Sequence, residues 1–194
     1  MNHFRYRISV AALVLVTTSV LAGCAAPVPD TPQTPAPAAP PFRPVASIRE
    51  VMTGIIDPSV DAVWNSVKSV IDDGRTTDHA PATDEAWAEV RRHALVVSEA
   101  ANLLLMPGRP VAPPGAGARD AAVELSPDQI RALIDMNQDA WNLYAQQLQD
   151  AMKPALAAID GKNSQALLDA GEQIDTACEN CHSVFWFPKT VASR

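Results

Sequence analysis

Five consecutive residues near the C-terminus, Cys178-Glu179-Asn180-Cys181-His182, carry the side chains best suited to chemistry in this 194-residue chain. Two thiols three positions apart, followed at once by an imidazole, fit one task well. The thiols add to the two vinyl groups along one porphyrin edge, and the imidazole takes the iron. On a helix, residues 178, 181 and 182 share a face, so all three can address a single haem. Two other chemistries use the same residue types. A redox-active C-x-x-C pair usually sits at the start of a helix, where the dipole lowers a thiol pKa; here the pair falls at the end of a predicted helix. A zinc site takes four ligands as a rule, and His79, His93 and one more donor would have to converge on this segment. Position and the missing second ligand pair favour haem.

The N-terminus bears on the same choice. Residues 1–7 include Arg5 and Arg7 and no acid, and Ile8 to Leu21 is a weakly polar or apolar run. That is a basic n-region followed by an h-region too short for a permanent membrane span. The run ends in Leu21-Ala22-Gly23-Cys24, which resembles the bacterial lipobox. The resemblance implies that residues 1–23 are a lipoprotein signal peptide and that Cys24 becomes the lipidated first residue. Ala25, with no Asp after the cysteine, leans towards the outer membrane by analogy with known lipoproteins. The expected location is therefore the periplasmic side of a bacterial membrane. Losing residues 1–23 leaves 13 basic against 22 acidic side chains, a net charge of −9. An acidic chain gains nothing from phosphate contacts, which argues against nucleic acid as a partner. It gains nothing from anionic lipid either, so acyl chains would be the anchor.

With Cys24 assigned to lipid, only Cys178 and Cys181 remain among the three cysteines. Eight of the 18 residues from Pro27 to Pro44 are proline. Such a stretch cannot bury apolar surface, and residues 24–44 read as a lipidated, extended tether. Residues 45–194 have the size of one domain.

That domain reads as all-α, an antiparallel four-helix bundle. The first helical stretch is expected from about Ser47 to Asp72, with a kink or short break at Asp57-Pro58, because Asp57 can cap a restart. Val60, Val63, Trp64, Val67 and Ile71 follow at helical spacing. The second helix starts near Thr83, ends at Met106-Pro107-Gly108 and carries Trp87, Val90, Ala94, Val97, Ala101 and Leu104 on one stripe. Residues 107–125 form a Pro- and Gly-rich loop. Ser126-Pro127-Asp128-Gln129 is a capping-box pattern opening the third helix, which Pro154 is expected to end or bend. The fourth starts near Asn163 and stops at Pro188. Trp87 and Trp141 read as packing residues.

A lone C-x-x-C-H near the C-terminus of a four-helix, exported chain resembles the class II c-type cytochromes, the cytochrome c-prime family and its low-spin relatives. The continuation His182-Ser183-Val184-Phe185-Trp186-Phe187-Pro188 is similar to the aromatic tail of some members. The opening is similar too, with Glu50-Val51-Met52, then Ile56-Asp57-Pro58 and Asp61-Ala62-Val63-Trp64. The likeness covers about residues 45–190 and implies one covalent haem c. The chain departs from the high-spin members: Arg49 is followed by Met52 three residues later, where they place an arginine four residues before the distal position.

The sixth iron ligand follows from topology. In an up-down-up-down bundle the start of helix one lies beside the end of helix four, with the end of helix two and the start of helix three. His182 should then be near Met52, Leu105 and Met106, and Ile130 to Ile134. His79 falls at the far end and His93 about midway. Met106 adjoins Pro107 in a turn, whereas Met52 projects from a helix, so Met52 is the preferred ligand; a methionine that only fills the core is the plainer alternative. Arg49, one turn away, could pair with a haem propionate. His/Met ligation fills both axial positions and leaves a one-electron carrier serving redox partner proteins. If Met52 only packs, the iron is five-coordinate and binds or senses NO or CO. A peroxidase would need polar distal groups, and Met52, Ile55, Ile56 and Ile134 are apolar, so no enzymatic constellation is expected. Apolar outer faces on the first helices would permit a homodimer.

Overall fold

The computed structural model describes residues 42–188. The expected signal peptide, Cys24 and most of the expected tether lie outside the described residues, as does the segment from 189 onward.

Ser47 opens the first helix. Its backbone N–H donates to Glu50 Oε2 at 2.8 Å while its hydroxyl accepts from Glu50 N at 3.3 Å, a reciprocal capping box. Helix α1 (Ile48–Val51) then runs without a break through a π-helical turn, Met52–Ile56, into α2 (Asp57–Asn65). Pro58 explains the turn. It has no N–H to give, and its ring crowds the carbonyl four residues back, that of Gly54. The chain widens instead of breaking, with Asp57 N–H donating to the Met52 carbonyl five residues back. The buried stripe records the extra residue: Val51 and Ile56, both 1% exposed, are five positions apart. The kink expected at Asp57-Pro58 is thus a π-turn centred one turn earlier.

The expectation of helix to Asp72 fails. Helix α2 ends at Asn65, and β1 (Lys68–Asp72) pairs antiparallel with β2 (Arg75–His79), Asp72 opposite Arg75. Asp73 and Gly74, with φ of 45° and 76°, make the two-residue turn. Asp-Gly between β-branched residues (Val70, Ile71, Thr76, Thr77) is a strong hairpin signal, and here it overrides helical spacing. The domain is therefore mostly helical with a small two-stranded sheet, rather than all-α. Every residue of both strands is exposed.

Helix α3 (Asp84–Leu104) is capped by Thr83, whose hydroxyl accepts from Ala86 N at 3.2 Å. All six residues of its expected stripe are buried. The third expected helix is two: α4 (Pro127–Met136), opened by the Ser126–Gln129 capping box, and α5 (Gln138–Asp160). Asn137, at φ −132° and ψ 44°, separates them, and its side-chain amide back-bonds to the Leu133 carbonyl at 2.9 Å. Pro154 does not end α5. Its neighbours Met152 and Ala155 are fully buried, and their packing holds the helix through the missing hydrogen bond. Helix α6 (Ser164–Phe185) starts at the Asn163 cap.

Helix α5 packs against both α3 and α6, α2 packs against the same two helices, and α4 lies on α5 and α6. The α2–α6 approach is close at Gly171: Trp64 Nε1 donates to its carbonyl at 3.3 Å, and a Cβ there would meet Trp64 Cδ1 at 3.4 Å. At the other end of α6, fully buried Phe185 sits edge-on to Trp141 (5.2 Å) and Tyr144 (6.0 Å). No described helix is long and apolar enough to cross a membrane.

Candidate functional site

The last turns of α6 bring Cys178, Cys181 and His182 to one cavity. Its other walls are Ile48 and Met52 from the first helix, Leu104 from the end of α3, and Trp141, Tyr144 and Leu148 from α5. The lining is almost wholly apolar, and the enclosed space is about 40 Å³, room for a couple of waters. Met52, His182 and Trp186 also border a second cavity of about 260 Å³, whose further walls include the charged side chains Arg49, Asp57, Arg119 and Glu124.

Both thiols are half-buried and neither is in a disulfide. Desolvation pushes Cys178 up to about 11, helped by the carboxylates of Asp175, Asp57 and Glu179, and pushes Cys181 up to about 12. A redox pair needs a stabilised thiolate, so this environment speaks against that chemistry. Burial also lowers the His182 pKa, against the opposing pull of Asp57 and Glu179, and so favours the neutral imidazole that a metal requires. Among the described residues no group of three or more His, Cys, Asp and Glu side chains converges. His79 is exposed on β2, and His93 Nε2 lies 3.2 Å from Glu89 Oε1, so the extra donors a zinc site would take are elsewhere.

The expected neighbours of His182 divide. Met52 lines the cavity. Met106 does not: its sulfur accepts from Arg109 Nη2 at 3.1 Å. Leu104 stands where Leu105 was expected, and Ile130 and Ile134 are buried without reaching the cavity. The wall around Met52 is Ile48 and Leu104, not Ile55, Ile56 and Ile134.

Arg49 is committed to a partner that sequence reasoning missed. Its Nη1 donates to the Gly117 carbonyl at 2.8 Å and its Nη2 to Glu124 Oε1 at 3.2 Å. Glu124 also accepts from Trp186 Nε1 at 2.7 Å, from Asp120 N at 3.4 Å and from Arg119 N. Desolvation is the largest influence on Glu124 and raises its pKa, yet these hydrogen bonds and the Arg49 charge together hold it below the ordinary value. The carboxylate ties the first helix, the 107–125 loop and the end of α6 together beside His182. Nothing local in Ala122-Val123-Glu124-Leu125 marks it, since its partners lie 62 and 75 residues away.

The residues present fit a covalent c-type haem in donor chemistry: two protonated thiols, a neutral imidazole and a thioether on one cavity, and an arginine whose buried Nε has no partner among the described residues. A porphyrin would need more room than the roughly 40 Å³ recess offers, so side chains lining it would have to move. No protein-family model, no characterised protein and no solved structure matches this chain.

Proposed function

We propose that this chain is a lipid-anchored c-type cytochrome that carries single electrons on the periplasmic side of a bacterial membrane, in a four-helix bundle formed by the α1–α2 segment, α3, α5 and α6. The observation that carries the reading is that Cys178, Cys181, His182 and Met52 all line one apolar cavity. Cys178 and Cys181 would hold the haem through thioether bonds, and His182 and Met52 would bind its iron. When bound, the haem supplies the one-electron Fe(III)/Fe(II) couple. The chain's own residues do three things. Met52 would take the second iron site and so leave none for substrate. Ile48, Leu104, Trp141 and Leu148 keep water from the recess, which favours the less charged reduced state. Arg49 and Glu124 hold the first helix against the end of α6 and so keep Met52 facing His182. No acid, base or nucleophile is required, and the partners are redox proteins.

An optical spectrum of the chain made with haem-attachment machinery tests this, recorded oxidised, reduced, and reduced with CO. A low-spin spectrum with a methionine–iron charge-transfer band and no CO response is the expected result. A high-spin spectrum that shifts with CO would replace electron transfer by gas binding, and absence of covalent haem would end the reading.

A further inference from the structure

The β1–β2 hairpin stands apart from the helical core. Every residue of both strands is exposed, Val70 by 41% and Ile71 by 76%. A two-stranded hairpin alone in water is marginally stable, and it gains from a further strand. Its edges are open to one. Lys68–Asp72 and Arg75–His79 contain no proline, and the register runs through five consecutive pairs without a bulge, so two common blocks to edge pairing are missing.

The alternation of the ladder decides which backbone groups point outward. Asp72 and Arg75 flank the two-residue turn as a hydrogen-bonded pair, so Val70 with Thr77 and Lys68 with His79 are hydrogen-bonded pairs as well. The N–H and C=O groups of Ser69 and Ile71 therefore point away from β2, along the outer edge of β1. An antiparallel copy of β1 centred on Val70 meets them in register. Ser69 and Ile71 of one copy exchange backbone hydrogen bonds with Ile71 and Ser69 of the other, and Val70 stands opposite Val70 in the closer, non-hydrogen-bonded position. The same register sets Lys68 against Asp72 twice. A charge on an edge strand ordinarily discourages pairing. Here the two charges are opposite in sign and equidistant from Val70, so they oppose other strands and suit this one. The outer edge of β2 lacks this symmetry: centred on Thr77, it sets Arg75 against His79 and Thr76 against Asp78, and brings no opposite charges together.

We propose that β1 is an interaction surface for a second copy of this chain, the two hairpins forming a four-stranded antiparallel sheet across a two-fold axis at Val70. The copies meet at the hairpin and not on the outer faces of the first helices. Because only the β1 edge is complementary to itself, the contact closes at two copies and does not grow into a fibre. Five residues a side make a small contact, so pairing is weak and reversible. It leaves the fold of each helical domain as it is, and it is independent of what α6 carries.

The test is disulfide cross-linking in cells producing the full chain, with Val70→Cys and Thr77→Cys compared with the parent under a mild oxidant. Both positions are exposed, so both variants should fold. Val70→Cys should give a covalent dimer on a non-reducing gel. Thr77→Cys, on the outer strands of the four, should give little more than the parent. Adding Lys68→Glu to Val70→Cys should lower the cross-linked fraction about tenfold, because two attractive pairs become repulsive, and adding Asp72→Lys as well should restore it. Equal cross-linking at positions 70 and 77 would mark random collision and overturn the proposal. So would the absence of a dimer at position 70, or indifference to Lys68→Glu. Cross-linking of Val70→Cys to a different protein would overturn it too, assigning the edge to another partner.

Discussion

Arg49 and Glu124, 75 positions apart in the chain, meet at 3.2 Å with side chains 9% and 4% exposed. A buried ion pair adds little net stability against an apolar replacement, but removing one partner strands the other's charge in low dielectric. Glu124→Gln should therefore destabilise the domain by about 3–5 kcal/mol, seen as a lower denaturation midpoint at unchanged slope. Trp186→Phe removes only one neutral donor to a charged acceptor and should cost about 1.5–3 kcal/mol. Equal stability of Glu124→Gln and the parent protein would show that the pair does not hold the first helix to the end of α6.

The exposed hairpin makes the opposite case. Lys68–His79 pair only with each other, and Val67, 3% exposed, is the last residue before them that packs in the core. Replacing residues 68–79 with a short Gly/Ser connection should change stability by no more than about 0.5 kcal/mol, the range for surface changes. A larger loss in chemical denaturation would mean that the hairpin supports α2 and α3 after all.

What could be read in the chain separates by range. The caps at Ser126, Thr83 and Asn163, the buried stripe of α3 and the C-x-x-C-H face of α6 depend on spacings of a few residues, and each stands where the sequence puts it. The hairpin was legible in Asp73-Gly74 but was masked by Val67 and Ile71, which continue a helical spacing. Asn137 fits the helical spacing of its neighbours, although its side chain competes for the Leu133 carbonyl. Pro154 reads as an end or a bend because its local cost is plain, while the packing of Met152 and Ala155 that carries the helix past it is not. The π-turn had a local cause in Pro58 but no local signature of its form. The Glu124 network is the part beyond reach, because an acid in a Pro- and Gly-rich loop looks like a solvated one until tertiary structure brings Arg49 and Trp186 to it.

The two thiols give a pH prediction for chain made without haem attachment. Folded values of about 11 for Cys178 and about 12 for Cys181, against 9.0 ordinarily, mean that the folded state holds these protons more tightly than the unfolded one. The sign follows. Their contribution to stability is fully present below about pH 9 and is lost as the pH rises through the folded values. Alkylation of native Cys178 near pH 8 should be about 100-fold slower than in denaturant, from two units of pKa alone. Equal rates before and after unfolding would show that the thiols are not shielded by the recess.

If the chain holds a covalent haem as proposed, Met52 decides between carrying an electron and binding a gas. It lies on the π-turn, lines both cavities beside His182, and is only half-buried, so its thioether has freedom to move. Met52→Ala should leave the thioether links of Cys178 and Cys181 intact, because those depend on α6 alone. It should abolish the methionine–iron charge-transfer band, turn the spectrum towards high spin and let CO bind the reduced iron. Truncating a methionine in an apolar setting costs about 2–5 kcal/mol when it is fully buried, and half-buried Met52 should cost less, so the variant stays folded for the measurement. A spectrum unchanged from the parent protein would remove Met52 from the iron and leave it as packing beside the haem edge.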